Sequence, residues 1–178
     1  MKIKNIKVGG LNTNCYFLIS EGELLVIDPG AEPNKIIQNL KELEADVVGF
    51  INTHSHYDHV GANKSLKDKG IDNLTKQNKL QVGDLNLKIV ETPGHKEDCI
   101  CIIGSNFAFT GDTIFKDVHG RVDLAGGSIK KLEESLEKLS NILKVGMTIY
   151  PGHGESFKLK TANLKNKYLK NDSNKKSN

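Results

Sequence analysis

The chain has 178 residues and a formal net charge of +3, and its composition is that of an ordinary globular protein. This length predicts one domain with a substantial hydrophobic core, and no apolar stretch is long enough to span a bilayer. The small charge excess argues neither for nor against a nucleic-acid partner. The start of the chain lacks the apolar run of a secretory signal, and the three cysteines show no disulfide or zinc spacing, so we expect a cytoplasmic protein.

The first third of the chain predicts an antiparallel meander, a helix and a buried strand. Three apolar or alternating segments bounded by turn residues predict neighbouring strands, at residues 2–8, 15–19 and 24–27. A helix is predicted over residues 33–44, because Pro33 suits a first helical turn and apolar residues then recur at helical spacing. Residues 46–52 are apolar and β-branched, which predicts a buried strand.

The rest of the chain predicts a second group of strands with helices beside it. Strands are expected within residues 71–92 and at residues 99–103, 106–110 and 147–150. Helices are expected at residues 58–69, after the N-cap residue Ser128, and at residues 156–169. No linker is visible within residues 1–170, so we predict one α/β domain there, with a two-sheet core and helices outside. The polar tail 171–178 is predicted to be disordered.

Metal-binding side chains are concentrated directly after the buried strand 46–52. His54 and His56 are two residues apart in an extended segment, so both can point to one side and reach one metal ion. Asp58 and His59 follow after the chain turns, and they would face a second ion. Packing does not explain a buried strand that ends in three histidines and an aspartate.

Three further strand-end loops each offer one potential ligand directly after a glycine. They provide His95 after Gly94, Asp112 after Gly111, and His153 after Gly152. Glycine at these positions predicts a close approach of the backbone to the site. Five of the six histidines of the chain therefore lie in strand-end loops, and we predict that they form one metal centre with the two aspartates.

This ligand pattern resembles the metal motifs of the metallo-β-lactamase superfamily, in order and in approximate spacing, over nearly the whole folded part. Within the superfamily the chain is similar to the glyoxalase II (hydroxyacylglutathione hydrolase) group. The motifs behind this similarity are His59-Val60-Gly61-Ala62-Asn63, Thr92-Pro93-Gly94-His95, Gly111-Asp112-Thr113-Ile114-Phe115 and Gly120-Arg121-Val122-Asp123-Leu124. The resemblance implies a four-layer αββα sandwich of two mixed sheets with helices outside, and a site at the sheet edge.

The resemblance also implies how seven ligands would divide between two divalent metal ions. His54, His56 and His95 would hold the first ion, Asp58, His59 and His153 would hold the second, and Asp112 would bridge them. Imidazole and carboxylate ligands without thiolate suit zinc, which we expect first, and also iron or manganese.

Such a centre predicts a metallo-hydrolase. A hydroxide that bridges the ions would attack the carbonyl carbon of a small-molecule acyl thioester, such as hydroxyacylglutathione, or of an ester. Asp58 is expected to be catalytic as well as a ligand, because it can orient the attacking water. One helix alone is predicted after His153, where full-length glyoxalase II carries a glutathione-binding domain, so the resemblance is to the short, single-domain type.

Three other residues have candidate roles near the centre. Asp28 could orient a ligand histidine through its free ring nitrogen, or it could only form a turn. Arg121, the sole arginine, could bind a substrate carboxylate or stabilise its own loop. Tyr57 could contact the substrate or only pack.

Other activities are compatible with the same ligands. A mononuclear-iron persulfide dioxygenase could use His54, His95 and Asp112 as a facial triad. A nuclease or phosphodiesterase is less expected, because RNA-processing relatives would need a longer chain with more arginine. Lactone hydrolysis is a further alternative.

Overall fold

Two β-sheets face each other in the computed structural model, which describes residues 1–77 and 79–160. The first sheet has four strands in the order β1-β2-β3-β4, antiparallel except for the parallel pair β3 and β4. Its strands are β1 (Lys2–Val8), β2 (Thr13–Ser20), β3 (Glu23–Ile27) and β4 (Asp46–Ile51). The helix α1 (Pro33–Leu43) forms the crossover between the two parallel strands, which require such a connection.

The second sheet has six strands in the order β10-β9-β8-β7-β6-β5, and only β8 and β9 are parallel. Its strands are β5 (Lys79–Val82), β6 (Leu85–Glu91), β7 (Ile100–Ile103), β8 (Phe107–Gly111), β9 (Thr148–Pro151) and β10 (Phe157–Lys158). The helices α2 (Tyr57–Val60) and α3 (Asn63–Lys67) lie between the two groups of strands along the chain. The helix α4 (Ile129–Ser140) connects β8 to β9.

The alternation of side chains along each strand divides the apolar residues among three clusters. Tyr16 and Leu18 of β2 point between the sheets and join residues of the second sheet, such as Phe109. Cys15 and Phe17, their neighbours in sequence, point outward and pack with α1 and α3. A third cluster joins the outer face of the second sheet to α4. The order of layers is therefore helix, sheet, sheet, helix, and the predicted αββα sandwich is confirmed.

The helix predicted over residues 58–69 is two short helices in the structure. The amide of Ala62 donates to the carbonyl oxygen of Pro29 at 2.9 Å, instead of to the carbonyl four residues earlier in its own segment. This bond interrupts the helix and ties it to the turn that follows β3. The histidine-rich segment 54–59 is thereby fixed against the first sheet.

The helix predicted over residues 156–169 is wrong at its start. Phe157 pairs with Ile149 and Lys158 pairs with Thr148, so this segment is an edge strand of the second sheet. Residues 159 and 160 are not helical either, and the part of that prediction from residue 161 on, the domain end at residue 170 and the tail 171–178 lie outside the described residues. None of the helices in the described ranges combines the length and the apolar character needed to cross a membrane.

Alanine substitutions at two glycines in tight turns would distinguish the effect of backbone strain from that of steric crowding. Gly83 has φ +54°, and a Cβ there would lie 2.4 Å from the carbonyl oxygen of Ser20. Gly22 has φ +81°, and a Cβ there would meet no atom within 4 Å. Alanine at either position must adopt a left-handed conformation, which costs roughly 1–2 kcal/mol, but only Gly83→Ala also displaces the first sheet.

We therefore expect Gly83→Ala to lower the free energy of unfolding by about 1–3 kcal/mol more than Gly22→Ala, the usual range for overpacking. Urea denaturation followed by circular dichroism measures both values. Equal losses in the two variants would contradict the close packing of the turn at Gly83 against β2.

Candidate metal centre

The buried strand β4 delivers the first group of potential ligands to the edge of the sandwich. The chain is still extended at His56, with φ −65° and ψ 146°, and it turns into α2 at Tyr57. His54 and His56 therefore precede the turn, and Asp58 and His59 lie within the helix. This is the local geometry expected from the sequence.

Three imidazoles converge on one point, and we call His54, His56 and His95 the first triad. The Nδ1 atom of His56 lies 2.9 Å from His54 Nε2 and 2.9 Å from His95 Nε2. The outer nitrogens of two members contact other groups: His95 Nδ1 donates to the carbonyl oxygen of Arg121 at 2.7 Å, and His54 Nδ1 lies 3.2 Å from Thr53 Oγ1. The inner nitrogens are thus left to face one another.

Asp58, His59 and His153 form a second triad beside the first. The Oδ2 atom of Asp58 lies 3.4 Å from His59 Nε2 and 3.2 Å from His153 Nε2. The two Nε2 atoms are 3.4 Å apart. One ligand atom from each residue therefore faces a common point, as in the first triad.

The carboxylate of Asp112 lies between the two triads. Its Oδ2 atom is 3.5 Å from His95 Nε2 in the first triad and 3.6 Å from His153 Nε2 in the second. Its Oδ1 atom is 3.6 Å from His59 Nε2, and it is buried without a hydrogen-bond partner. An unsatisfied buried oxygen is rare in folded proteins and requires an explanation, which a cation between the triads would provide.

The ionisation of the imidazoles differs between the triads. Burial lowers the pKa of His54 far below its usual range, and the neighbouring histidines lower it further. Burial and the nearby His95 also lower the pKa of His56. Neutral imidazole is the form that binds a metal, so these side chains are ready to act as ligands at neutral pH. Burial lowers the pKa of His59 too, but the surrounding carboxylates, Asp28 first, outweigh it and raise that pKa to about 9.

The carboxylates are placed among cations and hydrogen-bond donors. Burial raises the pKa of Asp58, but the hydrogen bond from His153, the charge interaction with His59 and the hydrogen bond from Thr13 together outweigh it and hold that pKa below its usual range. Burial raises the pKa of Asp112, and the nearby imidazoles oppose this rise. With five imidazoles and two carboxylates that face inward, the donor set fits divalent metal ions of the kind that nitrogen and oxygen ligands bind.

Asp28 lies behind His59 and contacts two parts of the histidine-rich loop. Its Oδ1 and Oδ2 atoms accept from the amide and the hydroxyl of Thr53, each at 2.7 Å. Its Oδ2 atom is also 2.9 Å from His59 Nδ1, although off the axis of a well-aligned hydrogen bond. Asp28 also has a left-handed backbone conformation, with φ +53°, where the chain leaves β3.

The two candidate substrate contacts are on the surface. The guanidinium group of Arg121 binds Asp123 through two hydrogen bonds of 2.7 and 2.6 Å, while its backbone carbonyl supports His95. Of the two roles weighed for Arg121, the contacts in the structure are those that stabilise the loop. The side chain of Tyr57 is exposed at the start of α2.

The glycines before the ligands approach different neighbours. A Cβ on Gly152 would lie 2.2 Å from Asp112 Oδ1 and 2.7 Å from His59 Cε1, so this backbone approaches the centre itself. A Cβ on Gly94 would instead meet Leu132 of α4 at 2.5 Å. A Cβ on Gly111 would meet Thr53 Oγ1 at 2.4 Å. The predicted close approach to the site is therefore direct only at Gly152.

Sequence reasoning missed the polar residues at the start of β2. Thr13 and Asn14 are completely buried, and Thr13 Oγ1 donates to Asp58 Oδ2 at 2.8 Å. Two adjacent polar residues at the start of an otherwise apolar strand were the available signal, but they also suit an exposed strand end.

A groove of about 340 Å³ opens beside His153, between residues 115–118 and 153–155.

The chain matches known proteins over most of its length. Residues 8–76 match the metallo-beta-lactamase superfamily. A probable metallo-hydrolase of Methanocaldococcus jannaschii is 32% identical in an alignment 187 positions long, which covers 82% of this chain and 89% of the relative. Hydroxyacylglutathione hydrolase GloC of Haemophilus influenzae is 28% identical in an alignment 193 positions long, which covers 86% of this chain and 91% of the relative.

Solved structures share the same fold. The BLEG-1 B3 metallo-beta-lactamase superposes with a TM-score of 0.81 at 24% sequence identity, and the match covers 88% of this chain and 94% of that one. The superfamily match and the relative of 32% identity show that the chain belongs to the metallo-β-lactamase superfamily. It is an enzyme of the metallo-hydrolase kind, with a His/Asp site suited to divalent metals.

Gly152 and Gly10 offer a matched test of the centre, because neither has a positive φ and alanine suits both backbones. A Cβ at Gly152 would displace Asp112 and His59, whereas a Cβ at Gly10 would meet no atom within 4 Å. We expect Gly152→Ala to reduce bound metal at least tenfold after dialysis, by analogy with substitutions that misplace ligands, and Gly10→Ala to retain it. Elemental analysis of both folded variants measures the bound metal, and full metal content in Gly152→Ala would contradict the assigned centre.

Proposed function

We propose that the chain is a binuclear metal-dependent hydrolase that cleaves a small-molecule acyl thioester of the hydroxyacylglutathione kind, or an ester. The observation that carries the proposal is the buried carboxylate of Asp112, which faces His95 of the first triad and both His59 and His153 of the second. A carboxylate between two triads suits two ions better than one. The similarity to a hydroxyacylglutathione hydrolase supports a thioester as the substrate class.

Two divalent ions in this arrangement would lower the pKa of a water molecule towards about 7 and polarise a carbonyl oxygen. We propose zinc for both positions, with iron or manganese as alternatives, because the ligand set lacks thiolate. The first triad would hold one ion, the second triad would hold the other, and Asp112 would be shared by the two. The neutral state of His54 and His56 favours this loading at neutral pH.

The residues of the chain would orient the reactants. Asp58 is partly exposed and can accept a hydrogen bond from the attacking water, which makes it the proposed catalytic residue. His153 is the most exposed member of the second triad, and the groove of 340 Å³ begins at its side. We propose that the acyl compound enters along this groove, with its carbonyl group towards the triads.

No cysteine is suited to serve as the nucleophile in this reaction. Cys15, Cys99 and Cys101 are all buried, and burial raises the pKa of each thiol, to about 11 for Cys101. A thiol that stays protonated and shielded is a poor nucleophile at neutral pH. Three unpaired cysteines are usual in a reducing compartment, so the proposal includes a cytoplasmic location.

Removal of the shared carboxylate tests the proposal. We expect Asp112→Ala to lose more than about 100-fold of the rate of S-lactoylglutathione hydrolysis, beyond the range for substitutions behind the ligands, and to bind less metal in both positions. Asp68→Ala is the control, because Asp68 is an exposed carboxylate that forms an ion pair with Lys64 on α3. Hydrolysis is followed by loss of the thioester absorbance, and metal content by elemental analysis.

Three outcomes would contradict the proposal in different ways. One fully retained ion in Asp112→Ala would contradict the shared position of this carboxylate. No hydrolysis of thioesters or esters by the metal-loaded wild type would contradict the reaction class. One iron per chain, with oxygen uptake in the presence of glutathione persulfide, would favour the dioxygenase alternative.

A further inference from the structure

The segment Leu11–Tyr16, at the start of β2, contacts the second triad and the loop that carries His153. Thr13 Oγ1 donates to Asp58 Oδ2 at 2.8 Å. The carbonyl oxygen of Leu11 lies 3.2 Å from His153 Nδ1. Because a carbonyl can only accept, this contact requires a proton on His153 Nδ1, and Nε2 is then the ring nitrogen that faces the triad.

The loop after β9 depends on the same segment for its backbone conformation. The amide of Asn14 donates to the carbonyl oxygen of Gly152 at 2.8 Å. The side-chain amide of Asn14 donates to the carbonyl oxygens of Pro151 at 2.8 Å and Gly154 at 3.1 Å. The hydroxyl of Tyr16 donates to the same oxygen of Pro151 at 2.7 Å. Three carbonyl oxygens on either side of His153 are thus bonded to two residues of β2.

The composition of this loop explains why it needs such support. His153 lies between Gly152 and Gly154, and Gly154 has φ +76°. Glycine has no side chain with which to pack, and it loses more conformational freedom on folding than any other residue. The position of His153 therefore depends on bonds to the loop carbonyls from outside the loop.

Asn14 makes more of these hydrogen bonds than any other residue of the segment. It is completely buried, and its Oδ1 atom accepts from Asn5 Nδ2 at 2.9 Å, so its side-chain oxygen and both amide hydrogens have partners. A buried amide is costly unless its bonds are made. Truncation of Asn14 would remove one donor each from the carbonyl oxygens of Pro151 and Gly154, which the Tyr16 hydroxyl and the Lys7 ammonium group also contact.

The first triad has different supports. His95 is held by the carbonyl oxygen of Arg121, and His54 by Thr53, neither of which lies in β2. A change at Asn14 should therefore separate the two halves of the centre. A residue with only a general structural role would affect both halves equally.

We propose that Leu11–Tyr16 is the positioning segment of the second metal half-site, and that Asn14 is its principal positioning residue. Its bonds hold the loop so that His153 Nε2 meets Asp58 and His59 at one ion. The inference rests on the proposed two-ion centre. It predicts two binding steps that differ in their dependence on β2.

The experiment is a Zn²⁺ titration of the metal-free full chain against a chromophoric chelator, with elemental analysis after dialysis. We expect Asn14→Ala to bind the second ion about 10–100-fold more weakly, the usual effect of losing a contact behind a metal ligand, and the first ion as the wild type does. Thr13→Val and Tyr16→Phe keep their packing but lose one hydroxyl each, and we expect weaker effects in the same direction. The Thr13→Val/Tyr16→Phe pair carries the test if Asn14→Ala does not fold.

Ser20→Ala is the matched control. Ser20 is a buried polar residue at the other end of β2. Its hydroxyl also donates a hydrogen bond to the second sheet, at Asp84 between β5 and β6. We expect it to leave both affinities unchanged. Equal weakening of both ions in Asn14→Ala, or an unchanged second affinity in Asn14→Ala and in the Thr13→Val/Tyr16→Phe double variant, would overturn the inference. A wild-type chain that binds only one ion would instead contradict the proposed function, and with it the premise of a second half-site.

Discussion

The convergence of two triads on the buried carboxylate of Asp112 is the constraint on which the rest of the site depends. An acidic group with an unpartnered buried oxygen is unfavourable by itself, and so is a set of imidazole nitrogens about 3 Å apart. Both become favourable around a cation, because the same atoms are then ligands. The loops that carry them end strands of both sheets, so the sandwich must form before the centre can.

The stability of the fold comes from elsewhere in the molecule. Three apolar clusters lie between the sheets and beneath the helices on both outer faces. The stability of these clusters does not depend on the polar residues at the strand ends, where the candidate ligands lie. This separation lets the edge of the sandwich accept buried charges that would destabilise a core, and it follows the general pattern in which function occupies loops on a rigid scaffold.

The sequence predicted the fold and the candidate ligands for different physical reasons. Apolar alternation located nearly all strands, because burial on one or both faces gives a strong pattern. It failed for β10, since one buried residue, Phe157, in a two-residue edge strand has no period to recognise. The inward-facing histidines and aspartates were visible because few structural roles require such residues after glycine at several strand ends. The split of the helix at Ala62 was not visible, because it depends on one tertiary bond to Pro29.

The contacts between β2 and the loop of His153 mark the limit of sequence reasoning in this chain. Asn14 and Pro151 are 137 residues apart, and no local pattern relates them. Thr13 and Asn14 resemble an ordinary polar strand end until the second sheet is placed against them. Once that packing is known, their burial is the informative fact, because buried polar groups are retained only where they have partners. The partners here are carbonyls on either side of His153, so the first sheet does more than cover the second: it contacts the loop that carries the last candidate ligand. In a centre at the junction of two sheets, hydrogen bonds across that junction position the side chains. The residues behind the candidate ligands therefore contribute to its geometry together with the candidate ligands themselves.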